Sequence, residues 1–508
     1  MNAAFFQKLV RPFFHSAKDW PASEPLLRWG RGASWTIGLS YEGSGSFGAS
    51  GSGKTSAGVR TQTVAMLRAG YGMAFLTTKG TSPSDADLCW AMAREAGREK
   101  SVVAVGPRFG LGYNILRHEM EFAHQAGDGD MAANIAALFS SAAELALSHR
   151  DTKGGEQIWR QAVESLVRHA VTVVFHATRD LRLDDIVAVV KSAPQSIAQG
   201  KDPAWCRESV CIQMLERAAE HSDRNVRLAR AYFLEEFPGF PPDTKNSVLF
   251  TFSAGCADQF QREPLHSMFF ARTDYRPDIV LDGAVLLCDC PVLEYREVGR
   301  IANGLLRASV QRALERRAKH QGTRSVAIIW DEAQKTLLRS DVSFQETARS
   351  ALCATVVATQ HVPALRDAVG ADLAMNFLGN LRTKLFFQNN EPETGDYMRR
   401  LGGKVQVTRH SKSRGPDGKT STGETPVEED VLPAHAAHNL RTGGKADRFK
   451  VTGFLIVGSK RQSDGDPYQK ILIHQKRLGR SWWPFSKRVQ IVARMRPCPD
   501  FRYLRRAV

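Results

Sequence analysis

An α/β fold built on a mostly parallel sheet and interrupted by an inserted all-α domain follows from three observations in the sequence. Over residues 72–105 and again over 285–388, short apolar runs alternate with helical stretches, the rhythm of a doubly wound sheet. Between them, residues 116–250 keep only the 3.6-residue period of helices. At the head of the first stretch stands a glycine-rich octapeptide, Gly48-Ala49-Ser50-Gly51-Ser52-Gly53-Lys54-Thr55, leading into a helical pattern.

A chain of 508 residues has room for about three domains. With 43% apolar residues it can fill ordinary cores, which argues against disorder. No apolar run reaches the length of about eighteen residues needed to span a bilayer. The N-terminus does not read as a secretory signal, because Lys8, Arg11 and Pro12 interrupt Phe5-Phe6 and Phe13-Phe14. A cytoplasmic location is therefore expected. The 8 cysteines include no C-x-x-C pair, and Cys288 and Cys290 are spaced for a strand and not for a zinc knuckle, so buried thiols are expected. The net charge of +16 calls for a polyanionic partner, either nucleic acid or an acidic membrane surface. Over half of it is local, since residues 476–508 hold ten Lys/Arg against one acid, Asp500.

Residues 1–30 form an N-terminal arm, with Phe5, Phe6, Leu9, Val10, Phe13 and Phe14 as an amphipathic stripe beside Lys8, Arg11 and Lys18. Such an arm can pack on the protein body or rest on a bilayer surface, and Pro12 kinks it. The sheet domain comes in two parts, 31–115 and 251–475. In the first, residues 55–70 read as a helix, 72–78 as a buried strand, 86–97 as a helix and 101–105 as a strand. The insert, 116–250, is clearest in Ile158, Trp159, Ala162, Val163, Leu166, Val167, Ala170, Val171 and Val174, which share one face; Pro238, Pro241 and Pro242 break the pattern near its end. The second part offers strands at 285–290, 325–330, 354–359 and 384–388 and a helix over 297–320. Residues 409–429, poor in apolar side chains and rich in Ser, Thr, Gly and Lys, read as a mobile loop whose Arg409, Lys412 and Arg414 are candidate DNA contacts. Residues 450–457 and 470–474 suit a closing hairpin, and 476–508 form the basic tail. In the tail, Trp482, Trp483, Phe485, Phe501 and Tyr503 lie among arginines, a mixture suited to single-stranded nucleic acid, to lipid headgroups or to plain solvation.

The octapeptide fits G-x-x-x-x-G-K-[ST] without a mismatch. Its glycines allow backbone N–H groups to curl inward around phosphates, where a Cβ would obstruct. Gly48, Ala49, Ser50, Gly51, Ser52 and Gly53, with Ser56, then form the cradle, Lys54 reaches the β- and γ-phosphates, Thr55 holds Mg²⁺, and the helix that opens at Thr55 has its positive end towards the anion. This chemistry is that of an ATP or GTP site. The segment before it, 43–47, is small and polar and makes a poor strand. A second carboxylate source is the apolar strand ending in Asp331-Glu332, which belongs at the carboxyl edge of the sheet where such folds bind ligands. There Asp331 would fix Mg²⁺ and Glu332 would polarise the attacking water. Gln360 ends the next strand and is placed to sense the γ-phosphate. Arg349 precedes that strand, either as a plain surface arginine or as a finger entering a neighbour's site.

These parts resemble the ATPase of type IV secretion coupling proteins, the TraD/TraG-like proteins of conjugation, within the FtsK/HerA group of ring translocases. The similarity runs from Phe47 to Ser459. Besides GASGSGKT, it includes FLTTKG (75–80), GYNIL (112–116), the insert opening at Gln157-Ile158-Trp159, IIWDEAQ (328–334) and VVATQ (356–360). Thr78 stands where that family commonly has aspartate. The resemblance implies a RecA-like P-loop NTPase using ATP and Mg²⁺ in a homo-hexameric ring, with Arg349 as the finger and Gln360 as the sensor. Its implied partners are DNA, a relaxase or other secreted protein, and the secretion machinery at the membrane. Family members usually begin with transmembrane helices, which this sequence lacks; attachment to the cytoplasmic face of the inner membrane would then be peripheral.

The leading reading is an ATP-hydrolysing DNA translocase that acts as a coupling protein in conjugative transfer. A DNA-processing or packaging motor, or a pump for protein substrates, uses the same parts. A third reading, of another class, is an adaptor that binds DNA or membrane with ATP as a switch; the pairing of Glu332 with Gln360 argues against it.

Overall fold

The computed structural model describes residues 21–475 apart from 31–32, 82, 127–130, 148–155, 222, 318–323, 415–419 and 459–466. The N-terminal stripe and the basic tail thus lie outside the described residues. A small antiparallel pair, β1 (Pro25–Gly30) and β2 (Ala33–Thr36), precedes the main sheet. The main sheet has nine strands: β3 (Ser44–Phe47), β4 (Gly72–Leu76), β5 (Val102–Val105), β6 (Val285–Cys288), β7 (Val326–Trp330), β8 (Cys353–Thr359), β9 (Thr383–Phe386), β12 (Lys450–Val457) and β13 (Tyr468–His474). Their order is β13-β12-β9-β3-β8-β7-β4-β6-β5. The seven strands from β9 to β5 are parallel; β12 and β13 close one edge as an antiparallel hairpin, as expected.

Near-continuous apolar strands are the mark of a sheet covered on both faces. Here the side chains alternate between two cores. Ala74, Leu76, Val103, Val105, Leu286, Ile328 and Trp330 enter one, and Met73, Phe75, Val102, Ala104, Leu287, Ala327 and Ile329 enter the other.

The poor strand proves to be a central one. Ser44–Phe47 lies between β8 and β9 and pairs with both, fully buried. Propensity rewards side-chain bulk, but this position rewards its absence. A Cβ on Gly58, in the helical segment that follows the octapeptide, would meet Ser46 Oγ at 3.0 Å and the Phe387 ring at 2.9 Å.

The helical insert forms as read, with Val163, Leu166, Val167, Ala170, Val171 and Val174 of the Glu156–Thr178 helix buried. Helices continue past residue 250: the Pro242–Phe252 helix runs on through a π-turn at Ser253–Ala257, and no strand occurs among the described residues between that turn and β6. The Val292–Arg316 helix is broken at Arg296, where φ is +50°, and its long run follows that break, from the expected Glu297. Among the described residues no helix is long and apolar enough to cross a membrane.

The expected loop over 409–429 is instead most of an antiparallel ribbon, β10 (Lys404–Arg414) with β11 (Thr420–Asp430). It belongs to neither core, so the lack of apolar side chains that suggested a loop reflects only its exposure. What stabilises it is cross-strand pairing. Val407 faces Val427, Arg409 bonds Glu429 at 2.7 Å and Lys404 reaches Glu428 at 3.2 Å.

One buried charge pair joins the long helix to the segment after β7. Arg307, with its side chain 1% exposed, donates from Nε and Nη2 to the two oxygens of Asp341 at 2.7 Å each, and its guanidinium lies 4.0 Å from the centre of the Trp330 ring. Stranding one member of such a pair leaves a buried charge. Asp341→Ala is expected to lower stability by about 3–5 kcal/mol, read from the urea midpoint, and Arg307→Met with Asp341→Leu together by much less; equal losses would contradict the pairing.

Candidate nucleotide site

The octapeptide follows β3 at the carboxyl edge of the sheet. Gly48 N–H donates to the Thr359 carbonyl at 3.3 Å and Ala49 N–H to the Gln388 carbonyl at 2.9 Å, so the loop is hung between the ends of β8 and β9. Gly51 and Gly53 have φ of +76° and +91°, which glycine adopts freely. A Cβ on Gly48 would sit 2.4 Å from Ser52 Oγ, and one on Gly53 2.8 Å from Val451. A π-helical turn, Lys54–Val59, then runs into the Arg60–Ala69 helix, and its first N–H groups have no acceptor within the helix. Ser52 Oγ is buried with no hydrogen-bond partner, a polar atom suited to an anion in the cradle.

The end of β7 meets this loop. Lys54 Nζ is 2.9 Å from Glu332 Oε1, both side chains being 5% exposed or less, and the Thr55 hydroxyl donates to Asp331 Oδ2 at 2.6 Å. Residues nearly three hundred positions apart in sequence therefore form one pocket. Burial raises the Asp331 carboxyl above its ordinary range, against the opposing pull of Lys54 and the Thr55 hydroxyl. Burial acts on Glu332 too, but the Lys54 charge and the bonds from Lys54 and Gln334 outweigh it and hold its pKa below the ordinary value. Glu332 has φ +51°, a left-handed conformation rare outside glycine, which turns the carboxylate back over the loop. A hydroxyl and a carboxylate oxygen side by side form a hard-oxygen donor set, which fits a magnesium ion that keeps most of its water.

Gln360 lies one residue past Thr359, the anchor of the loop, and is half-buried; its carbonyl accepts from Asn389 Nδ2 at 2.8 Å. It is thus beside the pocket. Arg349 is at the other end of β8, on the amino edge of the sheet, with its side chain 74% exposed. Seven residues of β8 separate the two edges, about 23 Å at 3.3 Å per residue. Arg349 cannot join the pocket of its own chain.

Several residues of the pocket escaped the sequence reading. Gln334 Nε2 donates to Glu332 Oε2 at 2.7 Å and its Oε1 accepts from the Thr359 hydroxyl at 2.9 Å, so a relay links the carboxylate to the residue before Gln360. Gln334 was visible as part of IIWDEAQ but carried no assigned role. Gln475 Nε2 donates to Ser56 Oγ at 2.7 Å, tying the edge hairpin to the start of the helix; nothing local in the sequence signals that contact. Lys79 Nζ lies 3.9 Å from Glu332 Oε1. Its turn is held by Asp85, whose Oδ2 accepts from Thr78 N–H at 2.6 Å and Lys79 N–H at 2.7 Å. Thr78 itself donates through its hydroxyl to the Asp331 carbonyl at 3.1 Å, so it braces the second carboxylate strand without being an acid.

Burial pushes the Asp85 pKa up to about 6. Asparagine can still accept both N–H groups through one oxygen, whereas alanine strands both. Asp85→Ala is expected to cost about 2–4 kcal/mol at neutral pH and Asp85→Asn less than about 1 kcal/mol. Because the folded pKa lies above the unfolded carboxylate value, the folded state holds the proton more tightly. The native chain should gain stability relative to Asp85→Asn as pH falls from about 6 to about 4, by up to about 3 kcal/mol, and lose that gain on the way back. Urea midpoints across this range check it; a difference independent of pH would contradict it.

The chain is similar to known proteins in part of its sequence and in its fold. Residues 325–441 match the family described as the TraM recognition site of TraD and TraG. No curated protein matches the chain by sequence. Among solved structures, the bacterial conjugative coupling protein TrwBdeltaN70 in its unbound form is similar at 14% identity and a TM-score of 0.58, covering 95% of this chain and 93% of that one. TrwB in complex with ADP and Mg²⁺ is similar at 14% identity and a TM-score of 0.58, covering 96% and 95%, and TrwB with a non-hydrolysable ATP analogue at 14% and 0.57, covering 93% and 92%. Residues 325–441 are thus similar in sequence to a segment of TraD and TraG, and the fold over nearly the whole chain is the RecA-like P-loop fold of TrwB.

Proposed function

We propose that the protein is an ATP-hydrolysing coupling protein that drives DNA, or DNA bound to a relaxase or other secreted protein, towards a secretion machine during conjugative transfer. The observation that carries this reading is the joint pocket in which Lys54 meets Glu332 and Thr55 meets Asp331. The likeness to TrwB, solved with ADP and Mg²⁺ and with an ATP analogue, supports ATP and Mg²⁺ as the ligands. Its description as a plasmid coupling protein supports the transfer role.

In this reading the N–H groups at the start of the Lys54 helix and the Ser52 hydroxyl receive the phosphates. Lys54 turns from Glu332 to the β- and γ-phosphates. That exchange frees Glu332, which stays ionised at neutral pH and can take a proton from the attacking water, while Gln334 holds its other oxygen. Thr55 and Asp331 would hold Mg²⁺, which when bound offsets negative charge on the phosphates. Gln360, joined through Thr359 and Gln334 to Glu332, is placed to report whether the γ-phosphate is present. Arg349, on the far edge, serves a neighbouring copy in a homo-hexameric ring, and membrane attachment is peripheral.

Measured with ATP, Mg²⁺ and DNA, the native chain is expected to show DNA-stimulated hydrolysis. Glu332→Gln should retain ATP but turn it over at least about a hundredfold more slowly, and Lys54→Ala should lose most ATP affinity. Protein that binds ATP yet hydrolyses none with any DNA would overturn the motor reading and favour the switch-type adaptor.

A further inference from the structure

The amino edge of the sheet carries a charged group that the pocket of the same chain cannot use. Glu42, between the Ile37–Tyr41 helix and β3, faces two arginines: Arg349 Nη1 is 3.5 Å from Oε1, and Arg382 Nε is 3.1 Å from Oε2. Arg382 immediately precedes β9, and its N–H donates to the Glu42 carbonyl at 2.8 Å. Its side chain runs over Gly458, where a Cβ would come within 2.7 Å of Nε and 2.8 Å of Cγ. Gly458 also has φ +44°, so glycine suits the position on both counts and leaves the lane open.

Two guanidinium groups thus share one carboxylate, and one positive charge remains in excess. Neither Glu42 Oε2 nor Arg382 Nε completes a hydrogen bond, so the pair is held by charge without being locked in geometry. The side chains of Arg349 and Arg382 are 74% and 42% exposed, so solvent reaches both arginines, while Glu42 is 18% exposed.

We propose that Arg382 joins Arg349 as a second phosphate-facing arginine offered to a neighbouring copy, with Glu42 as the counter-ion that keeps both in place until the triphosphate of that copy displaces it. The inference rests on the assembly proposed above. The chemistry it recognises is the terminal phosphate of a nucleoside triphosphate, which carries more negative charge than a single carboxylate and matches the guanidinium fork. Arg349 is the more exposed of the two, whereas Arg382, tethered by its backbone bond and the Gly458 lane, fixes the direction of approach.

Subunit mixing separates the two edges. Glu332→Gln keeps both arginines, and Arg382→Ala keeps both carboxylates. Each alone is expected to hydrolyse ATP at least about tenfold more slowly than the native chain, and an equal mixture to exceed either, because some interfaces then have both halves intact. Arg382→Lys, which keeps the charge without the fork, should fall between and melt as the native chain does. Native-rate hydrolysis by Arg382→Ala, or no recovery on mixing while Arg349→Ala does recover, overturns the role of Arg382 and leaves the motor reading standing. If the native chain itself fails to hydrolyse, the motor reading falls and sedimentation with a non-hydrolysable ATP analogue decides the arginine. Arg382→Ala should weaken analogue-dependent association of copies at least about tenfold, and unchanged association overturns the proposal. Glu42→Gln should strengthen that association; weaker association would overturn the counter-ion role.

Discussion

Everything in the pocket depends on one buried attraction, between Lys54 and Glu332, 2.9 Å apart with little solvent around either. An ammonium and a carboxylate taken out of water are each expensive, and their mutual attraction offsets that cost only at close range. The fold must therefore bring the loop after β3 and the end of β7 together and hold them. It does so by placing only β8 between the two strands, and by hanging the loop on the Thr359 carbonyl of that intervening strand. The left-handed backbone at Glu332 completes the approach.

The same strand order gives the molecule two unlike edges. At the carboxyl ends, Lys54, Asp331, Glu332 and the Gln334–Thr359 relay converge; at the amino ends, Arg349, Arg382 and Glu42 do. A rigid sheet keeps these groups about 23 Å apart, a distance no side chain bridges. In the proposed assembly the two edges meet between copies. Such a contact would be heterologous, the kind that closes into rings when the rotation permits.

The periphery follows different physics. The insert was legible because its core face repeats every 3.6 residues over the Glu156–Thr178 helix, where Val163, Leu166, Val167, Ala170, Val171 and Val174 are all buried. The 404–430 ribbon carries no such signal, since it buries neither face, and its order comes from partners on the opposite strand. Composition cannot distinguish an exposed ribbon from a loop. Nor could strand propensity see β3, where Ser46 lies against Gly58 with no room for a Cβ between them.

The chain by itself determined the local patterns: a glycine-rich loop of the phosphate-binding type, two carboxylates at the end of an apolar strand, and a helical period broken into an α/β rhythm are set by neighbouring residues. Only the tertiary structure decided which distant groups serve them. Asp85 bracing Lys79, Gln475 reaching Ser56, Gln334 linking Glu332 to Thr359, and Arg382 sharing Glu42 with Arg349 depend on strand order and register. No local stretch encodes such contacts, because a hydrogen bond or ion pair is specified by position in space, and two residues far apart in the chain acquire a common position only when the sheet between them has formed.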